Sequence, residues 1–168
     1  MCRRARNGDT QAFAELYEKC AGKLYSTAFY MLGRKEDAED IVMETVTDAF
    51  AEIGSLRKEE AFEGWLFKIL VTKIKKKRGS YITEALPLMD DVVHFEKGDS
   101  DENAALWKAL ESIGEEDRQI IILDVLCGYK SHEISAMMNM NANTVRSRRM
   151  RAMQKLKKML EDKGADRS

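Results

Sequence analysis

With 168 residues, 44% of them hydrophobic and 34% charged, and a net charge of −1, the chain has room for one ordinary domain or two small ones and the composition of a globular protein. Cys2, Cys20 and Cys127 lie far apart without a CxxC pair, which argues against a disulfide framework or a zinc knuckle. The near-neutral total argues against indiscriminate nucleic-acid binding, and no apolar run approaches the roughly 18 residues of a membrane span.

A single proline and long charged, Met-rich runs point to an all-α protein, and the opening "MCRRARNGD" lacks the apolar stretch of a secretory leader, so a reducing cytoplasm is expected. From Asp9 or Thr10 as N-cap, apolar residues recur at helical spacing through Phe13, Leu16, Tyr17, Leu24 and Ala28, predicting one long helix. A second helix, about 35 to 53, aligns Ala38, Ile41, Val42, Thr45, Ala49 and Ile53 on one stripe. Its other face is acidic: Asp40, Glu44 and Asp48 stack at i, i+4 spacing, where like charges cost a few tenths of a kcal/mol each. Either that face is simply solvated or it docks a basic partner. After the turn-like "GSLRKEEA", a third helix of about 60 to 78 is apolar nearly all round from Phe62 to Ile74 and ends in lysines and Gly79, so it belongs at the centre of the first bundle. Aromatic and cationic side chains together suit single-stranded DNA, although Trp65 at this spacing reads mainly as core and the loop of about Ser55 to Phe62 as the base-contacting element.

Residues 79 to 100 hold the proline and no sustained helical period, and read as a linker that could reach on the order of 65 Å when extended. Four shorter helices follow, at about 101 to 112, 116 to 127, 131 to 138 and 142 to 161. The expected architecture is an N-terminal helical bundle (1–78), a linker (79–100) and a C-terminal four-helix domain (101–168) with a helix-turn-helix. In the latter, Ile134, Met137 and Met138 face a core, Asn139 suits a left-handed residue ending one helix, and Asn141 can cap the next. Along that last helix Val145, Ala152, Leu156, Met159 and Leu160 form the apolar stripe, while Arg146, Ser147, Met150, Arg151, Lys155, Lys157 and Lys158 lie opposite. Residues near the helix start suit base edges, and those near its end suit phosphates. Arg149 falls inside the stripe, so it must either snorkel to the domain edge or pair with an acid such as Glu133.

Taken together, "DAEDIVMETVTDAF", "FEGWLFKI" followed by lysines, and "HEISAMMNMNANTVRSR" resemble the extracytoplasmic-function group of bacterial sigma factors, over nearly the whole chain and in the family's order. The resemblance implies that the acidic helix, through Asp37, Asp40, Ile41, Glu44 and Asp48, docks on core RNA polymerase. It implies that the loop ending near Phe62, with Lys68, Thr72, Lys73 and Lys75, reads and holds the melted promoter element. It assigns the distal promoter element to Thr144, Arg146, Ser147, Arg148, Met150 and Arg151, since "TVRSR" matches the family's usual T-V-[KR]-S-R. It further implies an anti-sigma factor as a partner, and a linker that threads along the polymerase channel, with which Asp90 and Asp91 would be compatible. Met43, Thr72, Arg149 and Asn139 depart from the family's usual glutamine, asparagine, core leucine or isoleucine, and turn glycine.

The competing reading is a free-standing helix-turn-helix regulator whose first half mediates dimerisation or ligand response. An enzyme is not expected: His94 lies in the linker, His132 at a helix start, and no cysteine or carboxylate spacing suggests a metal, a cofactor or a catalytic triad. Weak affinity of the isolated chain for duplex DNA is expected, because the acidic helix and linker offset the basic closing helix.

Overall fold

A computed structural model describes residues 1–83 and 101–165. Among them the secondary structure is helical, in the order α1 (Cys2–Arg6), α2 (Thr10–Glu18), α3 (Ala21–Leu32), α4 (Lys35–Glu52), α5 (Phe62–Thr83), α6 (Asp101–Glu111), α7 (Glu115–Ile121), α8 (Ser131–Met138) and α9 (Ala142–Ala165). Residues 84–100, which include most of the expected linker with Asp90, Asp91 and His94, lie outside the described residues.

Asp9 caps α2 by accepting the Ala12 N–H at 3.0 Å. The expected single helix from Thr10 is divided at Lys19 and Cys20, where Cys20 leaves helical geometry at φ −126° and ψ 0°. The bend turns Phe13 inward, edge-on to Phe50 at 5.2 Å and to Phe62 at 5.9 Å between ring centroids. Helix α3 stops at Gly33, whose φ of 75° only glycine adopts without strain. Helix α4 places Glu36 and Asp37 in its first turn, where the helix dipole favours negative charge. It buries Ala38, Ile41, Val42, Thr45 and Ala49, and the small residues among these let it lie close to α3 and α5.

Helix α5 is the axis of the molecule. Leu66, Phe67, Leu70 and Ile74 are fully enclosed, because α3 and α4 cover one side of the helix and α8 covers another. The helix runs on past Gly79 to Thr83, since that glycine takes ordinary helical backbone rather than the left-handed turn expected of a terminator. Helices α6 to α9 form the expected C-terminal unit, with its own small core of Ala109, Leu110, Ile113, Ile121, Ala152 and Leu156. After α7 the chain takes a π-helical turn, Ile122–Leu126, and reverses at Gly128, whose φ is also 75°. Asn139 ends α8 in the left-handed region at φ 53° and ψ 50°, and the Asn141 side chain accepts the Asn143 N–H at 2.8 Å, so the helix-turn-helix closes as the sequence indicates.

The two halves are joined by one apolar core. Ile120, Ile122, Leu123, Ile134, Met137, Met138 and Val145 merge with the side chains of α2 to α5. Trp107 of α6 packs between Phe29 and Tyr30 of α3, with ring centroids 6.0 and 6.1 Å away. Because Leu123 lies fully buried in this shared core, Leu123→Ala is expected to cost about 2–5 kcal/mol. Urea unfolding followed by far-ultraviolet dichroism and by tryptophan fluorescence should show one coincident transition shifted to lower denaturant. Two separated transitions would mean that the halves do not share a core.

Candidate nucleic-acid and docking interfaces

The acidic face of α4 is only partly free. Asp40 and Glu44 point to solvent, together with Glu36, Glu39 and Met43, whose side chain is 73% exposed. Asp48 and Asp37 turn toward α5: Lys73 Nζ lies 2.6 Å from Asp48 and 3.5 Å from Glu44, and Lys77 Nζ lies 2.9 Å from Asp37. The hydrogen bond from Lys73 to Asp48 holds the ammonium pKa above its ordinary value, so the lysine stays charged. Ile41, expected at the docking surface, is 3% exposed and belongs to the core, because its position on the helix is that of the apolar stripe.

Helical geometry sorts the lysines of α5 into two sets. Lys68, Thr72 and Lys75 follow i, i+4, i+7 spacing and share one exposed face, where the Thr72 hydroxyl donates to the Lys68 carbonyl at 2.8 Å. Lys73 and Lys77 lie roughly 140–180° around the helix from Lys68 and hold the acids of α4. Lys73 therefore stands apart from the other expected strand-contacting residues. Phe62 is a further correction: it is 4% exposed, enclosed by Phe13 and Trp65, and cannot present its ring to a base in this form.

On α9, Thr144, Arg146, Ser147, Met150 and Arg151 are exposed along the first half of the helix. The Arg146 guanidinium donates to Asn143 Oδ1 at 2.7 Å, and Arg151 Nε donates to the Ser147 carbonyl at 3.3 Å, which orients both over the same surface. Arg148 points the other way, into paired contacts of 2.8 Å with Glu116 and with Asp117 of α7. Its hydrogen bond to Asp117 raises an already high guanidinium pKa. Arg149 does not sit in the apolar stripe: it is 44% exposed on the side-chain scale and bound through Nε to Asp124 Oδ2 at 2.7 Å. Glu133, the partner considered from sequence, instead accepts the Lys130 backbone N–H at the start of α8. Leu160 is exposed rather than core, whereas Val145, Ala152 and Leu156 are buried as expected.

A polar cluster at the seam between the halves escaped the sequence reading. Glu63 of α5 accepts from Lys23 at 2.7 Å and from the Tyr129 hydroxyl at 3.4 Å, while the Tyr129 ring meets Phe67 edge-on at 5.5 Å. Burial first, and then Glu63, push the Tyr129 phenol upward, so it remains a donor. Cys127 Sγ lies 3.1 Å from Thr27 Oγ1, and burial raises its thiol pKa too. Arg78 Nε contacts Glu115 at 3.1 Å, and its Nη1 donates to the Met31 carbonyl at 3.4 Å. The only sequence signal for this cluster is Gly128, whose turn throws Tyr129 back toward the first half. Among the described residues no group of three or more histidines, cysteines or carboxylates could hold a metal ion.

Two family models match the chain: Sigma-70 region 2 over residues 16–79 and Sigma-70, region 4 over residues 103–156. The RNA polymerase sigma factor SigV of Bacillus subtilis is 32% identical over 134 residues, covering 77% of this chain and 79% of SigV. The ECF RNA polymerase sigma factor SigW of the same organism is 27% identical across 95% of both proteins. The ECF RNA polymerase sigma factor SigE of Mycolicibacterium smegmatis is 33% identical over 156 residues, covering 87% of this chain, which spans 60% of the length of SigE. In fold, the sigma factor RpoE of Bartonella quintana, solved with the anti-sigma factor NepR, aligns with a TM-score of 0.78 at 24% identity over 90% of this chain and 98% of that one. CnrH, solved with the cytosolic domain of CnrY, aligns at 0.74 and 22% identity over 96% of this chain and 95% of that one.

The chain is therefore a transcription initiation factor and not an enzyme. It belongs to the extracytoplasmic-function group of RNA polymerase sigma factors. The alternative of a free-standing regulator gives way to this assignment, and no described helix is long and apolar enough to cross a membrane. Since Arg148 is committed to α7, Arg148→Ala should lower the thermal stability of the protein by about 0.5–1.5 kcal/mol, measured by calorimetry. An unchanged transition would show that its two ion pairs contribute nothing.

Proposed function

We propose that this protein directs promoter recognition by docking on core RNA polymerase through the outward acids of α4, chiefly Asp40 and Glu44, with Asp37 and Asp48 at the edge of the same surface. Lys68, Thr72 and Lys75 of α5 then hold the melted promoter strand, while Arg146, Ser147, Met150 and Arg151 of α9 read the distal element in the major groove. The observation that carries this reading is the segregation of charge. The acids of α4 and the bases of α9 face solvent on separate helices, and the bases of α5 that might have joined the strand-reading set are divided between two faces.

Phosphate contacts and base contacts divide the work on α9. Arg146 sits near the helix start, where a guanidinium can reach two acceptors of a guanine, and Lys157 and Lys158 near its end suit the backbone. The linker tethers the two DNA-reading elements, and Asp90 and Asp91 would be compatible with a positively charged channel in polymerase. RpoE of Bartonella quintana is described with an anti-sigma factor, which supports a protein inhibitor for this chain as well, and all these partners place it in the cytoplasm.

Run-off transcription with purified core polymerase tests the assignment: a promoter-dependent product should require this protein. The double substitution Asp40→Lys, Glu44→Lys should abolish co-purification with core polymerase while the far-ultraviolet spectrum stays unchanged, and retained co-purification would remove the docking surface. For the holoenzyme, Arg146→Ala should cost about 1–3 kcal/mol of discrimination at one position of the distal element, read by competition among single-base variants of a selected site. A uniform loss across all variants would make Arg146 a phosphate contact instead.

A further inference from the structure

The seam between the halves runs over the strand-reading face of α5. Lys68 lines a cleft of about 700 Å³ whose opposite wall is Cys127, Gly128, Tyr129 and Glu133. Thr72 and Lys75 line a second cleft, about 380 Å³, closed by Met138 and Asn139 of the helix-turn-helix and by Glu115 and Glu116 of α7. All three residues of that face thus look onto the C-terminal half, and carboxylates stand where a nucleic-acid phosphate would have to pass. The outward face of α9 remains open to solvent in the same form.

What holds the seam shut is apolar packing plus two polar contacts, Arg78 with Glu115 and Glu63 with Tyr129. One group works against it. Arg118 of α7 is 5% exposed, its Nε and Nη1 have no hydrogen-bond partner, and Arg78 lies close enough to disfavour its charge. A guanidinium without acceptors in a buried seam is a standing cost that separation of the halves relieves. Desolvation by burial, followed by repulsion from Arg78, lowers its pKa, in line with the geometry.

We propose that this closed form is a self-inhibited resting state, latched by Arg78 with Glu115 and Glu63 with Tyr129, covering the strand-reading face of α5, and kept easy to open by the unpaired guanidinium of Arg118. The proposal rests on the sigma-factor reading for the meaning of that face, but the latch itself is a property of the free protein. Closure reduces the fraction of molecules competent to hold a melted strand, and the apparent affinity for polymerase and promoter falls by the same fraction.

Two substitutions outside the docking and DNA-reading surfaces move the balance in opposite directions. Glu115→Lys sets a second cation against Arg78 and opens the seam. Arg118→Met replaces the unpaired charge by an apolar chain of similar length and tightens it. Small-angle scattering of the full chain should give a radius of gyration near the roughly 15 Å of a compact protein of this size for the wild type and for Arg118→Met, and a clearly larger one for Glu115→Lys. In run-off transcription at limiting sigma, Glu115→Lys should need roughly threefold less protein for half-maximal product, and Arg118→Met roughly threefold more. Arg118→Met should also melt at least about 2 °C higher, a combination of greater stability and poorer function that loss of a merely structural residue does not produce. An expanded wild type overturns the proposal, as does an opened Glu115→Lys with an unchanged requirement for protein. Should Glu115→Lys lose its helical dichroism, Arg118→Met decides alone: lower melting or unaltered transcription overturns the proposal. If neither wild type nor variants give any promoter-dependent product, the sigma-factor reading fails, and scattering and melting still decide whether the latch exists.

Discussion

Everything in this fold depends on α5 being covered from more than one side. A helix that encloses Leu66, Phe67, Leu70 and Ile74 completely has no face that a two-helix packing could hide. Each such side chain stabilises by about 1.5–3 kcal/mol when fully buried, so leaving one side of the helix in water would forfeit a large part of a typical domain's margin. Helices α3 and α4 cover one side through the small residues Ala28, Ala38 and Ala49, which let the backbones approach. Helix α8 completes the cover with Ile134, Met137 and Met138. The same helix therefore serves both as the structural axis and as the carrier of the strand-reading side chains.

Polar side chains then occupy the sectors that packing leaves. On α5, Lys73 and Lys77 have carboxylates opposite them on α4, and each such partly exposed pair is worth at most about 1 kcal/mol. Their effect is orientation: they fix which carboxylates of α4 remain outward and which lysines of α5 remain available. Arg148 and Arg149 do the same at the other end, tying the recognition helix to Asp117 and Asp124 and leaving Arg146 and Arg151 outward.

Local periodicity made much of this legible in the sequence. The apolar stripe of α4, the limits of α8, the left-handed Asn139 and the cap at Asn141 all follow from spacing and from residue chemistry within a few positions. Features that depend on distant residues were not legible. Ile41 and Phe62 match motif positions and so invite a surface role, but their burial is set by partners such as Phe13, far away along the chain. The break at Cys20 and the continuation through Gly79 have no local breaker or stop signal that distinguishes them from their alternatives. Arg149 looked misplaced on a helical wheel because a wheel has no neighbour, and Asp124 is that neighbour. The family resemblance supplied the order of the two units, yet neither it nor the residue pattern says that the units lie against one another.

The π-helical turn at Ile122–Leu126 sets the angular phase of everything after it. An ordinary helix advances about 100° per residue, so the wider turn delays the chain before it reaches Cys127. That delay lets Ile120 and Leu123 point into the common core, Asp124 meet α9, and Tyr129 return to Phe67, all within ten residues. Shortening the segment by a single residue would restore the regular pitch and swing the thiol and the phenol roughly a quarter turn away from Thr27 and Glu63. The register of one five-residue stretch thus decides whether the two halves of the molecule can find each other at all.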